Sequence, residues 1–245
     1  MNTSGNNGSI AVSGASLILA IDTCGPSGSV ALGRLKGESI EILGQIELEG
    51  RSYSATLVAA VGDLLAQNGV ALRQLGAIVA VNGPGSFTGV RVGLAAVKGL
   101  AEAARIPVVA VSRLEVLAAK AGVASAALDA HRHEVFLRLG GAERGRELLA
   151  GADELAGIAA PARVALCDEA AALLLGSAWP AAELVRTEVP APTAADALRL
   201  CAPGVLAGEF VDLAELDGHY LRRSDAEIFG AEIFGEPAAA PAEHP

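Results

Sequence analysis

The chain has 245 residues, of which 52% are apolar, with a mean hydropathy of +0.44 and a formal net charge of −10. This size and apolarity suit one large domain or two packed lobes and exclude disorder for most of the chain. Every apolar run is interrupted by Gly, Pro, Asp or Arg before reaching the roughly 18 residues of a membrane-spanning helix. The densest basic cluster is Arg222-Arg223, so binding of RNA would need a basic partner.

The amino terminus and the cysteines indicate a cytoplasmic protein. Residues 1–16 are rich in Ser, Gly and Asn and contain no Lys or Arg, so they lack the basic region of a secretory signal. We expect a disordered leader there. The three cysteines are odd in number and far apart, which predicts free thiols in a reducing compartment. They are Cys24, Cys167 and Cys201.

The first half of the chain alternates strands and helices. The apolar run Leu17–Ile21 predicts a strand buried on both faces, and it leads through Asp22-Thr23 and a turn with Gly and Pro into a returning strand at 29–33. Further along, the sequence predicts a strand at 40–48, a helix at 54–68, a strand at 77–81, a helix at 90–105 and a strand at 107–111. These elements define an expected amino-terminal lobe at 17–112.

The second half repeats this pattern. A short apolar strand at 126–129 again ends in Asp and is followed by a returning strand at 134–139. A strand at 164–167 and helices at 169–175 and 193–201 complete a carboxy-terminal lobe at 113–222. A strand, an Asp, a turn and a returning strand occurring twice predict an α/β protein of the actin/hexokinase-like superfold. In that superfold, two duplicated lobes of mixed β-sheet with helices enclose a nucleotide.

The carboxy terminus carries a short duplication. Residues 226–230 read AEIFG and are repeated at once as 231–235, before a Pro/Ala-rich end. We expect residues 223–245 to be a disordered tail, because termini tolerate change. A slippage duplication and a docking motif both explain the repeat.

A glycine-rich loop is the most informative segment. Residues 82–93 read NGPGSFTGVRVG and join a buried strand to a helix. The glycines permit positive φ and close backbone approach, and the helix amino terminus offers free N–H groups to an anion. Neither the Walker nor the dinucleotide spacing is met. The loop is therefore either an anion cradle or a tight turn that packs the helix on the sheet. We expect the Asp22 turn and the loop at 83–89 to lie at neighbouring strand ends. The candidate nucleotide- or anion-contacting residues are Asp22, Thr23, Gly83, Gly85 and Ser86.

Four segments resemble one known family. The pattern GPGSFTGxRxG at 83–93 is similar to the signature of the TsaB family, and the opening strand at 18–23 resembles that family's start. Asp129-Ala130 with Glu134–Phe136, and the closing Tyr220–Arg222, also resemble family segments. The four matches follow the family's order over residues 17–222.

The resemblance implies a function. TsaB is the non-catalytic dimerisation subunit of the complex that forms threonylcarbamoyladenosine on tRNA. It binds and activates its paralogue TsaD, together with TsaE. ATP and a metal ion are then expected in the partner subunits, with no cofactor in this chain. Contact with tRNA is expected only through the complex, and a homodimer of the free chain is possible. The rival is a self-sufficient small-molecule kinase or carbamoyltransferase of the same superfold, which needs a second glycine-bearing phosphate loop that this sequence lacks.

The histidine pattern agrees with a chain that has no catalytic site of its own. The paralogue holds its metal with a His-x-x-x-His pair, whereas the histidines here lie at 131, 133, 219 and 244 and lack that spacing. His131 and His133 belong to a predicted hairpin tip. Cys24 has no evident base beside it. We predict no catalytic residue and no metal site.

The two helices of the first lobe are the expected partner interface. The helix at 90–105 is apolar on more than one face, with small residues that permit close helix approach. Burial inside the chain is the alternative, and the resemblance favours a partner because the family dimerises through this pair. Arg91 occupies a helix first turn, where the dipole disfavours cations, so we expect an acidic partner for it in this chain or the next, with a solvated side chain as the alternative. The predicted interface residues are Leu57, Val61, Leu64, Arg91, Gly93, Ala96 and Gly99.

Overall fold

The computed structural model describes residues 16–49, 52–141, 145–186 and 191–222. The strands are β1 (Leu17–Asp22), β2 (Ser27–Lys36), β3 (Ser39–Glu49), β4 (Leu75–Val81), β5 (Val108–Val111), β6 (Ser125–Asp129), β7 (Val135–Leu139), β8 (Arg146–Ala150), β9 (Arg163–Leu166) and β10 (Glu183–Arg186). The helices are α1 (Tyr53–Gln67), α2 (Phe87–Ala104), α3 (Arg113–Ala121), α4 (Ala152–Ala156), α5 (Glu169–Ala178) and α6 (Ala194–Ala207), with one 3-10 turn at Leu72–Gln74. The predicted tail, and the predicted leader apart from Ser16, lie outside the described residues.

The strands form two five-stranded mixed sheets of the same topology. The first has the order β3-β2-β1-β4-β5 and the second the order β8-β7-β6-β9-β10. In each sheet the opening strand pairs antiparallel with the next strand and parallel with the fourth. The internal repeat, the opening hairpin and the predicted actin/hexokinase-like fold are thereby confirmed.

Local capping explains where the helices begin. Ser86 accepts a hydrogen bond from the Gly89 amide, so α2 starts three residues earlier than predicted. Thr193 caps α6, which continues through Pro203 to Ala207 rather than ending at residue 201. Helix α3 was not predicted from the sequence, although Ser112 caps its start and Gly122 ends it in the left-handed region at φ 65°.

The helices cover the first sheet on both faces. α1 and α2 pack side by side on one face, and α6 crosses the other. The predicted boundary at residues 112/113 separates the two sheets, but it assigned α6 to the second lobe. This assignment is wrong, because the buried residues of α6 belong to the core of the first lobe. In the second lobe, α3 packs on one face of the sheet, and α4 and α5 pack on the other.

A buried carboxylate joins the two lobes. The Glu147 side chain is 6% exposed. It accepts hydrogen bonds from Ser112 Oγ (2.7 Å), Arg138 Nη1 (2.8 Å) and His219 Nε2 (2.9 Å). Burial alone would raise the pKa of Glu147, but these donors outweigh it and hold the pKa below the usual 4.5. A carboxyl group whose pKa is lower in the folded state stabilises the fold at pH values above its unfolded-state pKa. This stabilisation is lost as the pH falls through the folded-state pKa.

We therefore expect Glu147→Gln to lower the free energy of unfolding near neutral pH by about 1.5–3 kcal/mol, the range for hydrogen bonds to a charged group. It should also reduce the loss of stability between about pH 5 and pH 3. Urea unfolding at several pH values measures both effects. The control is Glu41→Gln, which changes an exposed carboxylate paired with Lys36. An unchanged pH slope in Glu147→Gln would contradict the assignment.

Candidate functional site

The glycine-rich loop packs directly against the turn between β1 and β2. The Ser86 amide donates to the Cys24 carbonyl at 2.7 Å, and Thr23 Oγ1 donates to the Gly89 carbonyl at 2.7 Å. This contact follows from the parallel pairing of β1 with β4, which brings the carboxyl ends of the two strands together. The predicted neighbourhood of the Asp22 turn and the loop is confirmed.

Close packing accounts for three of the glycines. A Cβ atom at Gly85 or Gly89 would lie 2.1 Å from the carbonyl oxygen of Cys24 or Thr23, respectively. At Gly93 it would lie 2.2 Å from Thr23 Oγ1. Each glycine therefore admits backbone or side-chain atoms of the β1–β2 turn. Of the two readings of the loop, this geometry favours the packing turn.

Gly83, the remaining glycine among the candidate residues of the loop, packs against the carboxy-terminal segment of the described chain. Gly83 has φ 118°, and a Cβ atom there would lie 2.9 Å from the His219 carbonyl oxygen. The His219 amide donates to the Asn82 carbonyl at 2.7 Å. Gly83 is therefore covered by this segment, whereas Gly85 is covered by the β1–β2 turn. An anion-binding role for these glycines stays a prediction.

Asp22 and Thr23 are buried, at 2% and 1% exposure, and so do not face an open cleft. Asp22 accepts the Cys24 amide through Oδ1, and its Oδ2 lies 3.7 Å from Arg113 Nε. Arg113 is the first residue of α3 and is itself 5% exposed. Its Nε has no hydrogen-bond partner among the described residues, so the pairing with Asp22 is electrostatic.

The Arg113 guanidinium fills the space beside the turn. A Cβ atom at Gly25 would lie 2.3 Å from Arg113 Nη2, and the Tyr53 hydroxyl donates to the Gly25 carbonyl at 2.8 Å. Burial, with the nearby Asp22 carboxylate, raises the pKa of Tyr53 and of Cys24. Cys24 is thus a buried neutral thiol, unsuited to act as a nucleophile. Arg113 and Tyr53 of the chain itself therefore pack around Asp22 and its turn.

The next residues to consider are the cysteines and the histidines of the second lobe, which were weighed as possible catalytic or metal-binding groups. All three cysteines are free thiols, as predicted. His131 and His133 lie on the β6–β7 connection in the left-handed region, and His131 Nδ1 is 2.9 Å from Asp129 Oδ2. Within the described ranges, no group of three His, Cys, Asp or Glu side chains is placed to hold a metal ion.

The partner of Arg91 is aromatic, and the expected acidic partner is not found among the described residues. The guanidinium carbon lies 3.7 Å from the centroid of the Phe87 ring and 6.0 Å from that of Tyr220. The two rings are themselves 4.9 Å apart. A cation over an aromatic face is attracted by the ring quadrupole, which explains a positive charge in the first turn of α2.

Four of the predicted interface residues are inside the chain. Leu57, Val61 and Leu64 are 1–2% exposed and belong to the core, and Gly93 is buried against Thr23. Their assignment to a partner surface is wrong, because the three apolar side chains face the core of the first lobe and Gly93 faces the β1–β2 turn. Ala96 is half-buried against the same core, whereas Arg91 and Gly99 are exposed.

The outer side of the same helix pair is apolar and exposed. Val58 is 62% exposed, and a Cβ atom at Gly62 or Gly99 would meet nothing within 4 Å. The exposed small and apolar residues recur at helical spacing, and we call them the helix-pair face. They are Ala55, Val58, Ala59 and Gly62 of α1 and Ala95 and Gly99 of α2. The helical spacing of these residues is visible in the sequence. The spacing alone, however, does not show which apolar side of α1 is buried against the sheet.

No helix in the described part of the chain is long and apolar enough to cross a membrane.

Comparisons with known proteins place the chain in a family. A family model described as TsaD, tRNA N6-adenosine threonylcarbamoyltransferase, matches residues 42–164, half of the chain. TsaB of Haemophilus influenzae is 38% identical over 125 residues, covering 49% of this chain and 51% of that protein. TsaB of Bacillus subtilis is 40% identical over 126 residues, covering 50% and 54%. The chain thus spans about half the length of the curated relatives that it matches.

The structural comparison covers more of the molecule. A crystal structure of a Pseudomonas aeruginosa protein, described as uncharacterized with similarity to peptidase YeaZ, superposes with a TM-score of 0.68 and 30% identity. The match covers 84% of this chain and 100% of the other. YeaZ is another name for TsaB. This chain belongs to the TsaB family.

Proposed function

We propose that this chain is a non-catalytic subunit of the tRNA threonylcarbamoyladenosine-forming complex. It binds and activates TsaD, together with TsaE, for transfer of threonylcarbamoyl to the adenosine next to the anticodon. The helix-pair face carries the proposal, because a stripe of exposed small and apolar residues on two packed helices suits a matching helix pair. The names of the curated relatives, tRNA threonylcarbamoyladenosine biosynthesis protein TsaB, support the same process.

The surroundings of Asp22 support a subunit that does no chemistry itself. A self-sufficient kinase or carbamoyltransferase of this superfold needs an open cleft between its two hairpin turns. In the first lobe, Arg113 and Tyr53 fill the space beside the turn. In the second lobe, the turn reads His131-Arg132-His133 and has no glycine for a phosphate. Peptidase chemistry at Cys24 is disfavoured by the raised pKa of its thiol.

The expected cofactors and the contact with tRNA follow from the separate roles of this chain and its partner subunits. ATP and the metal ion belong to the partner subunits, and tRNA is contacted only through the complex, since the net charge of −10 repels phosphates. The free chain can pair with a second copy through the same helix-pair face. Three free thiols suit the reducing cytoplasm.

Reconstitution from purified subunits tests this function. We expect no threonylcarbamoyladenosine from this chain alone with tRNA, ATP and the threonylcarbamoyl-adenylate donor. Adding the TsaD and TsaE of the same organism should give product, and leaving this chain out should remove most of it. Modification by the isolated chain, or full activity in its absence, would contradict the proposal.

A further inference from the structure

A groove of about 660 Å³ lies between α2 and the carboxy-terminal segment of the described chain. Leu94, Leu216 and Leu221 give it apolar lining, and the packed rings of Phe87 and Tyr220 form one wall. Tyr220 is 37% exposed. We call this the α2 groove. Aromatic surface that is open to solvent beside apolar side chains favours an apolar ligand group.

The α2 groove is also basic. Arg91, Lys98 and Arg222 line it, against one carboxylate, Asp217. Arg222 forms an ion pair with Glu134, but neither Arg91 nor Lys98 forms one with any described residue. Both side chains can therefore pair with an acidic ligand. The ligand that fits combines a carboxylate with an apolar or aromatic side chain.

The chain itself supplies such a ligand. It continues from Arg222, which lines the α2 groove, into a stretch with five acidic residues and no Lys or Arg between residues 224 and 245. That stretch contains the AEIFG motif twice, at 226–230 and 231–235. Each copy has a glutamate followed by isoleucine and phenylalanine, so it matches the groove in charge and in apolar character.

The motif is within reach of the groove. Phe229 follows Arg222 by seven residues, which span up to about 25 Å when extended. Arg91 and Lys98 are separated by seven helical residues, or about 10 Å along α2. Both copies can therefore reach the same place. Loop-closure entropy favours the nearer copy by only about two-fold, so the second copy can replace the first.

We propose that the carboxy-terminal segment of this chain docks in its own α2 groove through the AEIFG motif. The phenylalanine of one copy packs against Phe87 and Tyr220, and the adjacent glutamate pairs with Arg91 or Lys98. The duplication then provides two equivalent ligands for one groove, which raises its occupancy. The α2 groove shares Ala95 with the helix-pair face, but docking of the segment is tested on the free chain, without a partner.

Fluorine NMR on the full-length chain tests the docking. The chain has five phenylalanines, at positions 87, 136, 210, 229 and 234, so labelling with 4-fluorophenylalanine gives five signals that single Phe→Leu variants assign. We expect Phe229 and Phe234 signals to differ from their positions in the urea-unfolded chain. The double variant Phe229→Ala/Phe234→Ala should shift the Phe87 signal and leave that of Phe136, in the second lobe, unchanged.

A charge-reversal variant tests the role of the basic residues in the α2 groove. Lys98→Glu should move the Phe229 and Phe234 signals toward the unfolded positions, whereas Lys36→Glu, the same charge change on the β2–β3 hairpin, should not. Motif signals that stay at the unfolded positions, with Phe87 unaffected by the double variant, would overturn the proposal. Motif shifts that grow with protein concentration would also overturn it, because the segment would then dock on a second copy.

Discussion

Val58→Glu in α1 is expected to weaken binding to TsaD by about 150-fold or more. The Val58 side chain is 62% exposed, so the free subunit tolerates a charge there. In the complex, the carboxylate would be buried against apolar side chains without a partner, which costs about 3 kcal/mol or more. The measured quantity is the concentration of this chain that gives half-maximal tRNA modification by TsaD and TsaE.

The second lobe offers a matched control for this variant. Leu173 on α5 is 67% exposed, so Leu173→Glu introduces the same charge at an equally accessible apolar position. We expect its half-maximal concentration to stay within about two-fold of the wild-type value, as for surface changes outside an interface. Activity of Val58→Glu at the wild-type concentration would place the interface elsewhere.

Gly89→Ala should be among the most destabilising single substitutions in the chain. The added methyl group would lie 2.1 Å from the Thr23 carbonyl oxygen, and this backbone atom cannot rotate away as a side chain would. Overpacking of this kind costs about 3 kcal/mol, at the upper end of the usual range. For a chain of this size that corresponds to a fall in Tm of roughly 6–12 °C.

Gly62→Ala is the matched control, since it adds the same methyl group to a helix at a site with nothing within 4 Å. Removing an exposed helical glycine should stabilise the chain by about 0.5–1 kcal/mol. Circular dichroism melting of the two variants gives the comparison. Equal melting temperatures would show that the loop does not pack on the β1–β2 turn as described.

The sequence predicted the fold best where a short residue pattern determines the local structure. The apolar run of β1, the polar turn after Asp22 and the glycine-rich loop predicted the hairpin, the strand-to-helix junction and the neighbourhood of the two. These features depend on residue patterns only a few positions long. The duplicated topology followed because the strand-Asp-turn-strand pattern occurs twice.

What the sequence could not show depends on long-range contacts. Leu57 and Val58 are adjacent and both apolar, and only the position of α1 on the sheet decides that the first is buried and the second exposed. Arg91 finds its aromatic neighbour Tyr220 near the far end of the described chain. Arg113 closes the space beside Asp22 only because α3 begins there.

The position of α1 and α2 on the sheet also corrects the predicted interface residues. The overall location on α1 and α2 stays a prediction, but its residues change from the inner to the outer side of the helices. A bulky substitution at the predicted interface residue Ala96, such as Ala96→Leu, would not isolate the interface, because Ala96 is half-buried against the core and the added side chain would also strain the free subunit. Val58 avoids this difficulty because its side chain is largely exposed.

Calorimetric titration of this chain with the TsaD of the same organism tests the central claim most directly. The account predicts a one-to-one complex with a Kd at or below about 1 μM, equivalent to about 8 kcal/mol. It predicts the same affinity for Leu173→Glu and a loss of measurable heat for Val58→Glu. Absence of binding by the folded wild-type chain, or equal binding by all three proteins, would contradict it.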